Sequence, residues 1–308
     1  MKQRITSLVA GGFLAFTLLG GATAGPYEDG EAAYLRDDYA VAMRLLLSPG
    51  ANNHADAQRY IGFMYAQGQG VQQDFAQALI WFRKAADQGD GRAQYFLGVM
   101  YRDGNGVPQD KAHALAWYHK SADQGDRLAQ FDIGSMYRYG EGVPKDAAQA
   151  AAWYRKAADQ GFAAAQSNLA VMYSEGDGVP KDNASALIWF RKAADQGEDV
   201  ALFNLGLAYD KGDGVPQDSA RAAVWYREAA DKGNVAAQIN LGSLYTSGEG
   251  VPKDFMLAYM WADLAASRAQ DDETREAANK NRDNLVQAMS PEQIAEARRM
   301  ARGWKPAN

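Results

Sequence analysis

The sequence predicts an all-α chain, a solenoid of stacked helix pairs, and three observations carry that prediction. Six of the seven tryptophans (Trp81, Trp117, Trp153, Trp189, Trp225 and Trp261) stand 36 residues apart. Between them the apolar positions recur with a period near 3.6 and not 2, so both halves of each unit read as helices. In five of the six units the pattern is broken at the same place by Gly-x-Gly-Val-Pro, as at Gly104 to Pro108. A fixed period of this length marks an array in which each unit buries its apolar face against its neighbours.

Residues 1–24 come first. Lys2 and Arg4 precede an apolar run from Ile5 to Leu19 and the small tripeptide Ala22-Thr23-Ala24. This is the three-part pattern of a cleavable secretory signal. The run is shorter than the ~20 apolar residues of a spanning helix and contains Gly11 and Gly12. Cleavage after Ala24 and an exported, periplasmic or secreted, chain without stable membrane insertion are expected. No cysteine follows, which argues against a lipid anchor.

Residues 25–56 hold half a repeat. Glu31 to Leu35 has helical spacing, and Asp38-Tyr39 with Ala42, Leu45 and Leu46 starts a second helix that Pro49-Gly50 stops. The pair is expected to cap the first full repeat.

Residues 57–270 are six repeats, starting at Ala57, Ala93, Ala129, Ala165, Ala201 and Ala237. In the second, a helix from roughly Ala93 to Asp103 is expected to bury Leu97, Met100 and Tyr101, with Gly98 admitting a close neighbour. Gly104 supplies a left-handed helix end, Gly106 keeps the turn tight, Pro108 cannot continue the helix and Asp110 caps the next one. Asp74/Gln77 and Asp146/Gln149 have capping-box spacing. The second helix sets Ala114, Trp117, Tyr118, Ser121 and Ala122 on one stripe, which places the repeated tryptophans in the core. Its last turn carries cations. Arg155/Asp159 and Arg191/Asp195 stand four apart, as exposed pairs on a solvated face.

Residues 271–308 read as C-terminal capping helices. Asp271 to Ala288 is one; Ser290-Pro291-Glu292-Gln293 opens another with a strong start signal, on which Ile294, Ala297, Met300 and Ala301 form the apolar stripe and Trp304 folds back.

Composition narrows the chemistry. The formal charge is −6, or −8 without Lys2 and Arg4, and there is no basic block, so nucleic acid is not an expected partner. Cysteine is absent, which excludes disulfides and thiolate chemistry. The histidines are His54, His113 and His119; sister repeats replace His119 by arginine four times, which marks it as a surface position. There is no metalloprotease, nucleophile-elbow or phosphate-loop motif, so no cofactor, no metal and no catalytic residue is assigned.

The combination Leu-Gly-x-Met-Tyr-x-x-Gly-x-Gly-Val-Pro-x-Asp, followed by Trp-Tyr-x-Lys-Ala-Ala-Asp-Gln-Gly, resembles the Sel-1-like repeat family, relatives of the tetratricopeptide repeat. The resemblance covers Ala57 to about Ala266. Gln72 replaces the proline, Leu202 the glutamine, and the sixth repeat ends in Ser267-Arg268-Ala269. It implies a right-handed superhelix, first helices inside, that acts as an adaptor or scaffold for a protein or peptide. Some cysteine-rich secreted relatives imply an alternative, a cell-wall-related binder or β-lactam-hydrolysing enzyme, for which this chain has neither the cysteines nor a nucleophile–base pair.

Positions that vary between repeats mark the expected binding face. On the first helix they include Tyr95, Phe131, Ser167 and Phe203, then Arg102, Arg138, Ser174 and Asp210, on one helical face. Tyr95, Arg102, Phe131, Arg138 and Tyr139 bring together the aromatics and arginines that dominate binding hot spots. They are the candidate protein-binding residues, for an acidic or extended peptide, with the alternative that Tyr95 and Phe131 complete the core between repeats.

Overall fold

A computed structural model describes residues 25–307; the expected export signal lies outside the described residues. Sixteen helices and no strand occur among them. In chain order they are α1 (Pro26–Leu35), α2 (Tyr39–Leu46), α3 (Ala55–Gln67), α4 (Phe75–Asp87), α5 (Gly91–Asp103), α6 (Lys111–Asp123), α7 (Arg127–Tyr139) and α8 (Ala147–Asp159). There follow α9 (Ala163–Glu175), α10 (Asn183–Ala194), α11 (Asp199–Lys211), α12 (Ser219–Asp231), α13 (Val235–Ser247), α14 (Phe255–Arg268), α15 (Asp272–Val286) and α16 (Pro291–Gly303). Two compact units divide the chain after Gln88.

In the first unit α1 and α2 pack on one another and on α3. Tyr34, Ala42, Met43 and Leu46 join Ile61 and Met64 in one core. The Tyr60 hydroxyl donates to Glu31 at 3.0 Å, and Tyr27 stacks on the His54 ring at 4.8 Å.

In the second unit, from α5 to α14, each odd-numbered helix pairs with the even-numbered helix that follows it, and that helix packs on the next one. First helices begin two residues earlier than the apolar pattern indicates, and in four of the five in this unit an extra side chain caps them, Phe162 before α9 being the exception. Asp90 accepts the Ala93 amide at 2.6 Å, Asp126 that of Ala129 at 3.0 Å, Glu198 that of Ala201 at 2.7 Å and Asn234 that of Ala237 at 2.9 Å. The helix glycine does what its missing side chain allows: a Cβ on Gly98 would stand 2.5 Å from the Tyr118 ring, and one on Gly134 2.7 Å from Tyr154. Second helices are capped by Asp110, Asp146, Asp182, Asp218 and Asp254. Among the described residues the reciprocal half of the capping box forms at Ser290/Gln293; at Asp74 and Asp146 the forward bond, to the Gln77 and Gln149 amides, is made.

The inter-helix loop is also a joint between repeats. Its first glycine ends the helix in the left-handed region, φ 73° at Gly104. Its second sits on the start of the previous repeat's second helix: a Cβ on Gly142 would lie 2.6 Å from Lys111 Cβ, and one on Gly178 would overlap the Ala147 carbonyl.

The tryptophans are not where the sequence places them. Trp117, Trp153 and Trp225 are half-buried, whereas the next residue is the sealed one: Tyr118 is 0 %, Tyr154 1 % and Tyr226 0 % exposed. Trp189 and Trp261 alone among those of the second unit are buried. One face of the half-buried rings is covered by the lysine three residues on, Lys120 at 3.8 Å from the Trp117 centroid and Lys156 at 3.6 Å from that of Trp153. Tyr101 is likewise half-buried, not core. Arg155 turns from Asp159 to the Tyr173 hydroxyl, with its guanidinium over the Trp189 ring at 5.3 Å. Arg191 donates to the Tyr209 hydroxyl at 3.2 Å. These arginines are cross-repeat struts, not members of exposed pairs. His119, which takes the same place, is half-buried with its ring 5.3 Å from Trp153.

A glutamine ladder accounts for the recurring Ala-Gln and Asp-Gln-Gly. Gln124 donates to Gln94 at 2.9 Å, Gln160 to Gln130 at 2.9 Å and Gln196 to Gln166 at 2.9 Å. Gln166 in turn donates to the Ala158 carbonyl of the previous repeat at 3.1 Å. Where Leu202 breaks the ladder its partner position is Lys232, so both glutamines are lost together.

Helices α15 and α16 cover α14. Ala297 and Ala301 are buried there, Trp304 meets Trp261 edge-on at 6.2 Å, and Arg268 lies over the Trp304 ring at 4.3 Å.

Candidate protein-binding face

The five candidate residues lie in repeats two and three of the chain, the first two of the second unit, on α5 and α7. Tyr95 is buried, 7 % exposed; its ring packs 5.6 Å from Tyr118 and its hydroxyl donates to Asp132 at 3.1 Å. Phe131 is half-buried between Tyr154 at 5.5 Å and Phe162 at 5.1 Å. These two aromatics complete packing between helices, and the accessible part of the face is made by the other three.

Arg102 donates to Asp103 at 2.8 Å and to Asp132, in the next repeat, at 3.3 Å. Burial works against its charge, but the hydrogen bonds to Asp103 and the nearby Asp132 outweigh it and hold the guanidinium protonated. Burial, then the Asp132 charge, pushes the Tyr95 phenol well above its ordinary range, so it stays protonated and able to donate to Asp132. Arg138 donates to Asn168 at 3.0 Å and lies 3.7 Å from Glu175. Its guanidinium stands 5.9 Å from the ring of Tyr139, which is 66 % exposed. The Tyr154 hydroxyl is 3.0 Å from Ser135 Oγ, while that of Tyr118, with Val99 in the serine's place, is buried without a partner.

The arrangement is one of struts. A long side chain on one first helix grips the residue 30 positions on, in the next first helix, and this fixes arginines that isolated chains would leave mobile. Such pre-ordering lowers the entropy lost when a partner docks. Sequence reasoning placed the arginines together but missed Asp132 and Asn168, whose signal was a polar residue at a position occupied by Phe96 in the repeat before. Among the described residues no group of three acidic or histidine side chains converges on a metal-sized site, and no helix is long and apolar enough to cross a membrane.

The Sel1 repeat profile matches six consecutive segments, residues 55–90, 91–126, 127–162, 163–198, 199–234 and 235–269. The chain belongs to the Sel1 repeat family. Among solved structures it is similar to a Sel1 repeat protein from Oxalobacter formigenes, at 33 % identity and a TM-score of 0.72 over 81 % of this chain and 99 % of that one. It is also similar to c5321, described as a protective antigen of uropathogenic Escherichia coli with this repeat fold, at 26 % identity and a TM-score of 0.50 over 91 % and 83 % of the two chains. No curated protein matches the chain. Sel1 repeat proteins generally mediate protein–protein interactions and are typically non-catalytic.

Proposed function

We propose that this chain is an exported, non-catalytic adaptor that holds an acidic or extended segment of a partner protein on the concave, first-helix face of repeats two and three. The observation that carries the reading is the fixed yet accessible set Arg102, Arg138 and Tyr139, braced from beneath by Tyr95 and Phe131. Arginine and tyrosine are the residue types that most often anchor interfaces. Export rests on the pattern of residues 1–24 and takes the mature chain to the periplasm or beyond.

The test is recovery of the partner by in-cell crosslinking and pull-down, comparing the native chain with Arg138→Gln/Tyr139→Ala. Tyr139 is exposed, so the double variant is expected to lose the partner with its melting temperature nearly unchanged; a folded variant that retains the partner overturns the site. A labelled penicillin is expected to be neither bound nor hydrolysed. Turnover that a single substitution abolishes overturns the non-catalytic reading.

A further inference from the structure

On the first-helix face arginine struts join two successive pairs of repeats and are missing at the rung that follows. Arg102 crosses to Asp132 and Arg138 to Asn168, and the next rung is Ser174 and Asn204. Serine is too short to cross. Its hydroxyl donates back to the Val171 carbonyl at 2.8 Å, and the Asn204 amide donates back to Val200 at 2.8 Å. Where an arginine would lie there is a cleft of about 190 Å³ with Ser174 and Asn204 in its lining. Buried Leu187 and Phe190 provide an apolar floor, and the loop of repeat five borders it through Asp213 and packs on the start of α10, since a Cβ on Gly214 would stand 2.9 Å from Asn183 and 3.1 Å from Leu187. Exposed Lys181 and Lys211 line it as well. Among the described residues neither lysine belongs to an ion pair. Asp213 also lines it and leaves one net positive charge.

We infer that this cleft is a second peptide subsite, which takes a carboxylate-bearing residue next to an apolar one from the bound partner; the inference rests on the adaptor reading. Size and charge both select that ligand. The volume is below the ~300 Å³ from which small-molecule and cofactor pockets begin, and suits a peptide side chain. Two lysines outside any ion pair against one aspartate, above an apolar floor, match an acidic group beside an aliphatic one, and a cationic ligand would meet the net positive charge unfavourably. The subsite lies on the same first-helix positions as Arg102 and Arg138, one and two repeats further on, so an extended segment running along this face reaches both.

The test titrates the isotopically labelled mature chain with the acetylated peptide Gly-Ser-Leu-Glu-Leu-Ser-Gly, and with the same peptide carrying glutamine for glutamate, at low and high salt. The acidic peptide is expected to shift the amide resonances of Ser174, Asn204 and Leu207, with about tenfold weaker binding for the glutamine peptide and a loss at high salt. Lys181→Gln/Lys211→Gln is expected to weaken binding by about the same factor. Ser174→Arg restores the missing strut and fills the cleft, and is expected to abolish these shifts without lowering the melting temperature. Equal response to both peptides, no response at these amides, or undiminished binding by folded Ser174→Arg overturns the subsite. The partner pull-down separates the two ideas: a partner lost by Arg138→Gln/Tyr139→Ala but kept by Ser174→Arg overturns the subsite alone. A partner kept by both variants overturns the face as a whole.

Discussion

The second unit has two sides that follow different rules. On the side of the second helices and the loops, the same joints recur: Tyr118, Tyr154 and Tyr226 sealed against a helix glycine, the second loop glycine seated on the previous helix, and the glutamine pair wherever Leu202 and Lys232 do not replace it. On the first-helix face the same register carries Arg102, Arg138, Ser174, Asp210 and Thr246 in turn. The difference teaches where selection for stacking ends. A joint must be identical because each repeat is stable only through its neighbours, whereas a first-helix position changes without loosening the stack and is available for recognition.

Breaking a joint therefore has the largest expected effect. Tyr154→Ala removes a ring that is 1 % exposed and is expected to cost about 3–5 kcal/mol, with loss spreading to the adjoining repeats. Trp153→Ala, half-buried, is expected to cost less, ~2 kcal/mol. Thermal melts of the two variants check the order. The reverse order would restore the tryptophan as the sealed residue.

Loop glycines sharpen the comparison, since two of them share a backbone conformation and differ in surroundings. Gly178 has φ 72° and no room for a Cβ beside Ala147; Gly161 has φ 80° and nothing within 4 Å of the Cβ position. Gly161→Ala is expected to show only the left-handed penalty, ~1–2 kcal/mol. Gly178→Ala adds displacement of the next repeat and is expected to reach about 3 kcal/mol or more. Equal losses in denaturant titration would mean that the second glycine serves its turn alone.

The glutamine ladder gives a smaller effect with a sharper signature. Gln166→Leu removes one of the two donors to the Ala158 carbonyl, which keeps the Gly161 amide, and one of the two acceptors of Gln196, which keeps the Lys192 carbonyl. The expected cost is about 1 kcal/mol. Adding Gln196→Lys reproduces the combination Leu202/Lys232 and is expected to recover part of that loss, which a double-mutant cycle measures. Additive losses would show that the two glutamines act independently.

Much of this architecture was legible in the chain. The period, the helix glycine opposite a ring, the left-handed helix ends and the aspartate caps each rest on local chemistry that a sequence states directly. The tryptophans were misplaced because recurrence reports a constraint at a joint, not depth of burial: Trp117 recurs to carry Lys120 on its face while Tyr118 seals the core. The cross-repeat arginines were unreadable from spacing alone, since Arg155 has Asp159 four residues away and still goes to Tyr173. At the candidate face the arginines and Tyr139 were legible as variable positions. For Tyr95 the chain left groove and core open, and the choice of core depends on Asp132 meeting its hydroxyl from the next helix.

The smallest expected effect lies where the second-helix side itself departs from its rule. Arg155 and Arg191 reach the tyrosine of the following repeat, but between repeats two and three the strut is His119, packed on Trp153. Burial, with Lys156 acting the same way and Asp123 opposing, holds this imidazole below its ordinary pKa of 6.5. The unfolded chain then binds a proton more readily than the folded one, so stability rises with pH across that range and falls as pH drops through 6.5. Because the ring is partly exposed the effect is expected to be small. It is read as a difference, the fall in melting temperature between pH 8 and pH 5 being larger for the native chain than for His119→Gln. His119→Arg supplies the fixed cation of the other joints, and is expected to remove the extra fall while preserving the native melting temperature at pH 8. If all three proteins respond to pH alike, His119 contributes packing against Trp153 and no proton linkage.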